Sequence, residues 1–274
     1  MKNLLFMALT TGIVHAIFSH YYLSVYVIET WWWNLLCCGT FVNIILLVKS
    51  QPKTDHEKNQ KYLSAIFITS TTVRSLFPRI DVERICFFDS FLSTTIVGRS
   101  LATVGEISFS LQISLSVLFF LKEAQARSIL PYLIPPLICV AQILCWFGVL
   151  TTNQLYHCFE ESIWAGCMAM LIPVLVRISR RIPDTETQLK LIVCTVITII
   201  YVIYMVMIDV PMYYGRYIEN EKLNLEYLSL RDGLEDSMAC KLIDNSYRIW
   251  KEDSIWMIGY FVFCSYLSVQ MINV

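Results

Sequence analysis

Residues 153–164 read N-Q-L-Y-H-C-F-E-E-S-I-W and place His157, Glu160 and Glu161 in the first two turns of a hydrophobic segment. An imidazole beside carboxylates is the pairing that general acid–base chemistry uses, and the same groups ligate metals. Ionisable side chains at membrane depth are costly, so they are rare there and come with a partner or a function. His157 and Glu161 stand four residues apart, which lets them meet on one helix face.

Four more ionisable groups fall in apolar segments at a comparable depth. Arg74 lies near the end of one segment, Arg99 and Glu106 lie seven apart on one face of the next, and Asp209 closes a later one. Arginine does not give up its proton, so Arg74 and Arg99 require acids, water or an anionic ligand. Glu106 and either Glu160 or Glu161 are the expected counter-ions. Glu106, His157 and Glu161 therefore form the candidate catalytic set, and Arg74, Arg99, Glu160 and Asp209 the candidate ligand-binding set. No metal site and no cofactor are assigned. H-x-x-E-E matches no established metal motif, no CxxC pair occurs, and HExxH, GxSxG, histidine-box and Walker patterns are all lacking.

The elements that must carry these groups are apolar helices. The chain has 274 residues, 56% hydrophobic and only 16% charged, against about 25% charged in soluble domains. Its apolar residues come in continuous runs rather than alternating ones, which fits membrane helices and excludes a β-barrel. The expected fold is all-α: one polytopic helical membrane domain with eight spans at about 4–28, 31–48, 62–77, 98–121, 129–150, 156–176, 189–208 and 255–272. The first span contains His15 and His20, and the third is the shortest. Trp31, Trp32 and Trp33 mark a membrane surface at the first turn. Pro131, Pro135 and Pro136 are expected to break the first half of the fifth span. Gly98, Ala102 and Gly105 make a small-residue stripe for close helix approach.

Residues 209–253 form the long connection, with an amphipathic helix expected over 230–250. Ser229 and Asp232 look like its capping box, and Leu230, Leu234, Met238 and Leu242 repeat every four residues as an apolar stripe. Lys2 and the loops at 49–61, 122–128 and 177–190 hold most of the lysine and arginine found in short loops, and two of the alternate connections, the turn at Trp31 and 151–156, carry no basic residue. By the positive-inside rule both termini are cytoplasmic and 209–253 lies outside. Of the ten cysteines, only Cys86, Cys158 and Cys240 fall at or beyond the outer surface, where an oxidising compartment permits one disulfide among them.

A net charge of −1 implies no nucleic-acid surface. The expected partners are the lipid bilayer and a lipid-like or small anionic ligand bound or processed in an outer pocket of Arg, Glu and His. Two other readings stand beside it. In one, the chain is a structural or assembly subunit of a membrane complex and the charges form only an ion-pair network. In the other it is a transporter.

Overall fold

The computed structural model describes residues 30–273. The span expected at 4–28, with Lys2, His15 and His20, lies outside the described residues. The protein is an all-α polytopic membrane protein. Its helices are α1 (Trp31–Lys49), α2 (Asp55–Leu76), α3 (Thr95–Glu123), α4 (Leu130–Thr151), α5 (Gln154–Ser179), α6 (Thr185–Lys222), α7 (Leu230–Asp236) and α8 (Tyr247–Asn273). Among the described residues, six of these are long and apolar enough to cross a membrane: α1, α3, α4, α5, α6 and α8.

The chain divides into two compact units. The first takes the described residues up to Phe109 and from Ser237 onward, and the second is the contiguous stretch Ser110–Asp236. Helix α3 contributes residues to both.

In the first unit, α2 covers the expected third span but is too polar to count with the six. Its hydroxyls explain why it is nonetheless buried. Ser70 Oγ donates to the Leu101 carbonyl, Thr71 Oγ1 meets Ser265 Oγ at 2.8 Å, and Ser268 Oγ donates to Ser64 Oγ at 2.9 Å. Such bonds hold helices together where apolar contact alone gives little preference over lipid. The small-residue stripe acts as expected at Gly105, where a Cβ would stand 2.6 Å from Ser70 Oγ. Trp32 and Trp33 point inward rather than marking a surface. Trp32 stacks on Trp250 at 5.1 Å and Trp33 on Phe87 at 5.4 Å, in a core with Leu36, Met257 and Phe261. Trp31 alone of the three is exposed.

Between α2 and α3 the chain makes a hairpin, β1 (Arg79–Ile80) against β2 (Ile85–Cys86), and β3 (Leu242–Ile243) adds parallel to β2. Arg84 turns the hairpin with φ 55°, an uncommon conformation for a residue with a Cβ. It is held there because its fully buried guanidinium donates to the Asp81 carbonyl, while its own carbonyl accepts from the Lys241 N–H. Strands this short do not persist alone. The Cys86–Cys240 disulfide, with Cα atoms 5.8 Å apart, ties the sheet together; Cys158 remains a thiol.

That sheet overturns the helix expected over 230–250. The hydroxyl half of the capping box forms, with Ser229 Oγ accepting from the Asp232 N–H, while the Asp232 carboxylate accepts from that hydroxyl. The helix it starts, α7, stops at Asp236, because the following residues are drawn into the disulfide and the strand pairing. The apolar stripe is not buried either: Leu230, Leu234, Met238 and Leu242 are all exposed.

In the second unit α4, α5 and α6 pack side by side, and α7 lies against α4. The three prolines do not break α4. Pro131 sits at its start, where no N–H is needed, and Pro135 and Pro136 remove only two internal bonds from a helix that continues to Thr151. Thr152, with φ 60°, ends α4, and Asn153 caps α5 by accepting from the Leu155 N–H at 2.9 Å. Helix α6 runs on past 208 to Lys222. A π-helical turn, Met205–Asp209, precedes Pro211 and absorbs the local loss of α-helical bonding.

Candidate functional site

The candidate residues gather into two clusters, one inside each unit. In the first unit Arg74 comes from the last turn of α2, Arg99 and Glu106 from α3, and Arg79 from β1. Arg99 Nη2 donates to Glu106 Oε1 at 3.0 Å, as the seven-residue spacing anticipates. Arg74 Nη1 lies 3.9 Å from the same oxygen. Arg79 Nε is 2.7 Å from Asp81 Oδ1. All three guanidiniums are buried, and Arg79 feels the charges of Arg74 and Arg99. Burial pushes Arg79 down to about 10, with Asp81 acting in the opposite direction, so it stays charged at neutral pH.

Close packing fixes the cluster. A Cβ on Gly98 would stand 1.4 Å from Cζ of Arg79, so the stripe glycine is what admits the guanidinium. The Arg74 guanidinium lies 4.8 Å from the ring centre of Phe261 and 5.7 Å from that of Tyr260, both from a π-helical turn in α8, Ile258–Cys264. Ring faces attract cations, but they do not replace hydrogen bonds. Nε and Nη1 of Arg74 are buried with no hydrogen-bond partner among the described residues. The arrangement presents forked N–H donors and excess positive charge around one point, which suits a phosphate or carboxylate.

In the second unit the His157 ring meets Glu160, not Glu161: Nδ1 is 2.9 Å from Glu160 Oε2, while Glu161 is only half-buried. On an α-helix both i+3 and i+4 neighbours share a face, and here the i+3 partner is the inward one. Cys145 of α4 brings its Sγ to 3.7 Å from the same Nδ1. The tight turn sets this register. Cys145 and Glu160 each stand seven residues from the turn pair Thr152–Asn153, and Gly148 and His157 each stand four from it. A Cβ on Gly148 would come within 3.0 Å of His157 Nε2. From α6, Tyr213 stacks on the His157 ring with centres 5.2 Å apart. Buried Asp209, at the end of the π-helical turn, interacts electrostatically with Glu160, His157 and Arg216, and Tyr204 Oη lies 3.4 Å from its carboxylate.

Glu106 and Arg99 thus belong to one unit and His157, Glu160, Glu161 and Asp209 to the other. Sequence reasoning missed Arg79 and Asp81, in a hairpin whose strands are too short to leave a pattern. It also missed Cys145, although its distance from the turn matches that of Glu160. No family model matches the chain, and no curated protein or solved structure does.

Proposed function

We propose that this chain is a multi-pass membrane protein that binds the anionic group, phosphate or carboxylate, of a lipid-like or small ligand through Arg74, Arg79 and Arg99. The observation that carries this reading is Arg74: a buried guanidinium with two N–H-bearing atoms lacking a hydrogen bond, beside two further buried guanidiniums. Leaving such donors unmet in a low-dielectric interior is costly, and an oxyanion would meet them. Binding is assigned and no reaction is.

The arginines sit at the end of α2 and the start of α3, next to the disulfide-tied sheet. A disulfide fits an oxidising compartment, and the basic loops at 49–61, 122–128 and 177–190 fit the cytoplasmic side. Both support placing the anion site at the extracytoplasmic end, with both chain termini cytoplasmic. Labelling of an introduced cysteine at Glu226 from outside intact cells supports that orientation; labelling only after permeabilisation reverses it.

The binding experiment is unbiased mass spectrometry of lipids and small molecules that copurify with the protein. The wild type should carry a phosphate- or carboxylate-bearing species that Arg74→Gln loses, with Arg99 still holding Glu106. A second reading has its own support in the Arg99–Glu106 and Arg79–Asp81 pairs, which are good geometry for a purely structural ion network. A wild type without any such species, together with an Arg74→Gln protein as active in complementation as the wild type, selects that second reading.

A further inference from the structure

We infer that Cys145, His157 and Glu160, with Asp209 beside them, form a binding site for a divalent transition-metal ion of the zinc type. The inference concerns the second unit and stands independently of the anion site.

Three buried side chains offer one sulfur, one nitrogen and one oxygen, all within 4.8 Å of one another. Tetrahedral zinc with such ligands separates them by about 3.3–3.6 Å. The separations here, 2.9 Å for nitrogen to oxygen and 3.7 Å for sulfur to nitrogen, lie within a few tenths of an ångström of those values. Thiolate and imidazole together favour zinc, iron or copper over magnesium or calcium. The geometry also argues against a nucleophile–base–acid relay. A relay needs the thiol and the carboxylate on opposite ring nitrogens, whereas here both converge on Nδ1.

A second observation points the same way. His157 Nε2 and Gln154 Oε1 are both buried with no hydrogen-bond partner among the described residues, and the two residues are three apart on one face of α5. With Nδ1–H donating to Glu160, Nε2 is a bare acceptor and cannot bond the Gln154 oxygen. A metal on Nδ1 moves that proton to Nε2, which becomes a donor for Oε1, the outer-shell bond that ligating histidines usually make. Charge closes as well. Cys145 releases its proton, so thiolate and Glu160 carboxylate neutralise a divalent ion. Asp209, at the ion's flank, interacts with Arg216.

The experiment uses the full chain in detergent, stripped with a chelator and reloaded with Zn²⁺ or Co²⁺. Elemental analysis after desalting should find one ion per chain. The Co²⁺ form should show a thiolate-to-cobalt charge-transfer band and intense visible bands of tetrahedral cobalt. Cys145→Ser should abolish the charge-transfer band, whereas Cys167→Ser, a buried thiol elsewhere on α5, should leave it. Gln154→Leu should weaken Zn²⁺ affinity about 10–100-fold. A wild type that retains less than a tenth of an ion per chain, or that binds Co²⁺ without a thiolate band, overturns the inference without any appeal to variants. A band that survives Cys145→Ser overturns it too, because another sulfur is then the ligand.

Discussion

The two clusters are built by opposite means. The one around Arg74 draws on α2, β1, α3 and α8, residues scattered from 74 to 261, and depends on a sheet that a disulfide closes. The one around His157 is local: a two-residue turn places α4 against α5, and α6 adds Tyr204, Asp209, Tyr213 and Arg216. The first surrounds two carboxylates with an excess of guanidinium, and the second gathers ligand atoms of three elements around one nitrogen. Yet both receive a side chain from a π-helical turn, Phe261 in one and Asp209 in the other. Such turns recur at functional sites because they re-aim side chains that a regular helix would point elsewhere. The lesson is that the same membrane-embedded charge can be stabilised by long-range assembly or by short-range register, and the two should fail differently.

The largest separation between them comes from the disulfide. Its cysteines are 154 residues apart, a loop for which the chain-entropy relation gives on the order of 5 kcal/mol. Replacing Cys86 and Cys240 by serine should lower the melting temperature of the first unit sharply and make it indifferent to reductant, while Co²⁺ or Zn²⁺ binding by the second persists. Loss of the metal on reduction alone would break the contrast.

Next is the ion pair. Arg99→Leu removes the 3.0 Å hydrogen bond to Glu106, and breaking a buried pair typically costs about 3–5 kcal/mol. Denaturant melts in detergent should show that loss, and should show most of it returning in the Arg99→Leu, Glu106→Leu double variant. Unrecovered stability in the double variant would mean that the excess arginines, not the orphaned acid, dominate.

These two effects also mark what could be read in the sequence. Apolar runs fixed the helices because their signal is local and summed over many residues. The seven-residue spacing of Arg99 and Glu106 made their contact legible for the same reason. The hairpin was illegible: β1 and β2 hold two residues each, and β3 joins them from more than 150 residues away. Residues 230–250 carried a good helical stripe that the strand pairing and the disulfide overrode after Asp236. In the second cluster the misreading was smaller. Glu160 and Glu161 are equivalent partners for His157 by spacing, and only the direction of α4 decides between them.

The local cluster has its own test, smaller in size. Gly148→Ala would press a methyl against the His157 ring, where contacts of 2.9 and 3.0 Å await it. Overpacking of this kind costs about 1–3 kcal/mol, and it should lower Zn²⁺ affinity by displacing the ring. Gly166→Ala, on α5 with nothing within 4 Å of the added carbon, should leave both stability and metal binding unchanged or slightly improved. Equal losses in the two variants would show that helix packing in general, not the His157 ring, is being measured.

The smallest effect is expected at Leu234, which is 41% exposed on α7. Leu234→Glu should change stability by about 0.5 kcal/mol or less, as surface substitutions do. A loss of several times that size in a thermal melt would restore α7 to the role of a buried cap over the second unit.

The position of the two cysteines also sets a schedule. Chains are synthesised at about 5–20 residues per second, so Cys240 leaves the ribosome roughly 8–30 s after Cys86. Everything between Ser110 and Asp236 is made during that interval. The second unit can therefore assemble while the first still waits for its closing strand, with the Cys86 thiol open to any oxidant or wrong partner in the meantime. Cys158 is also made before Cys240, yet it remains a thiol in the folded chain.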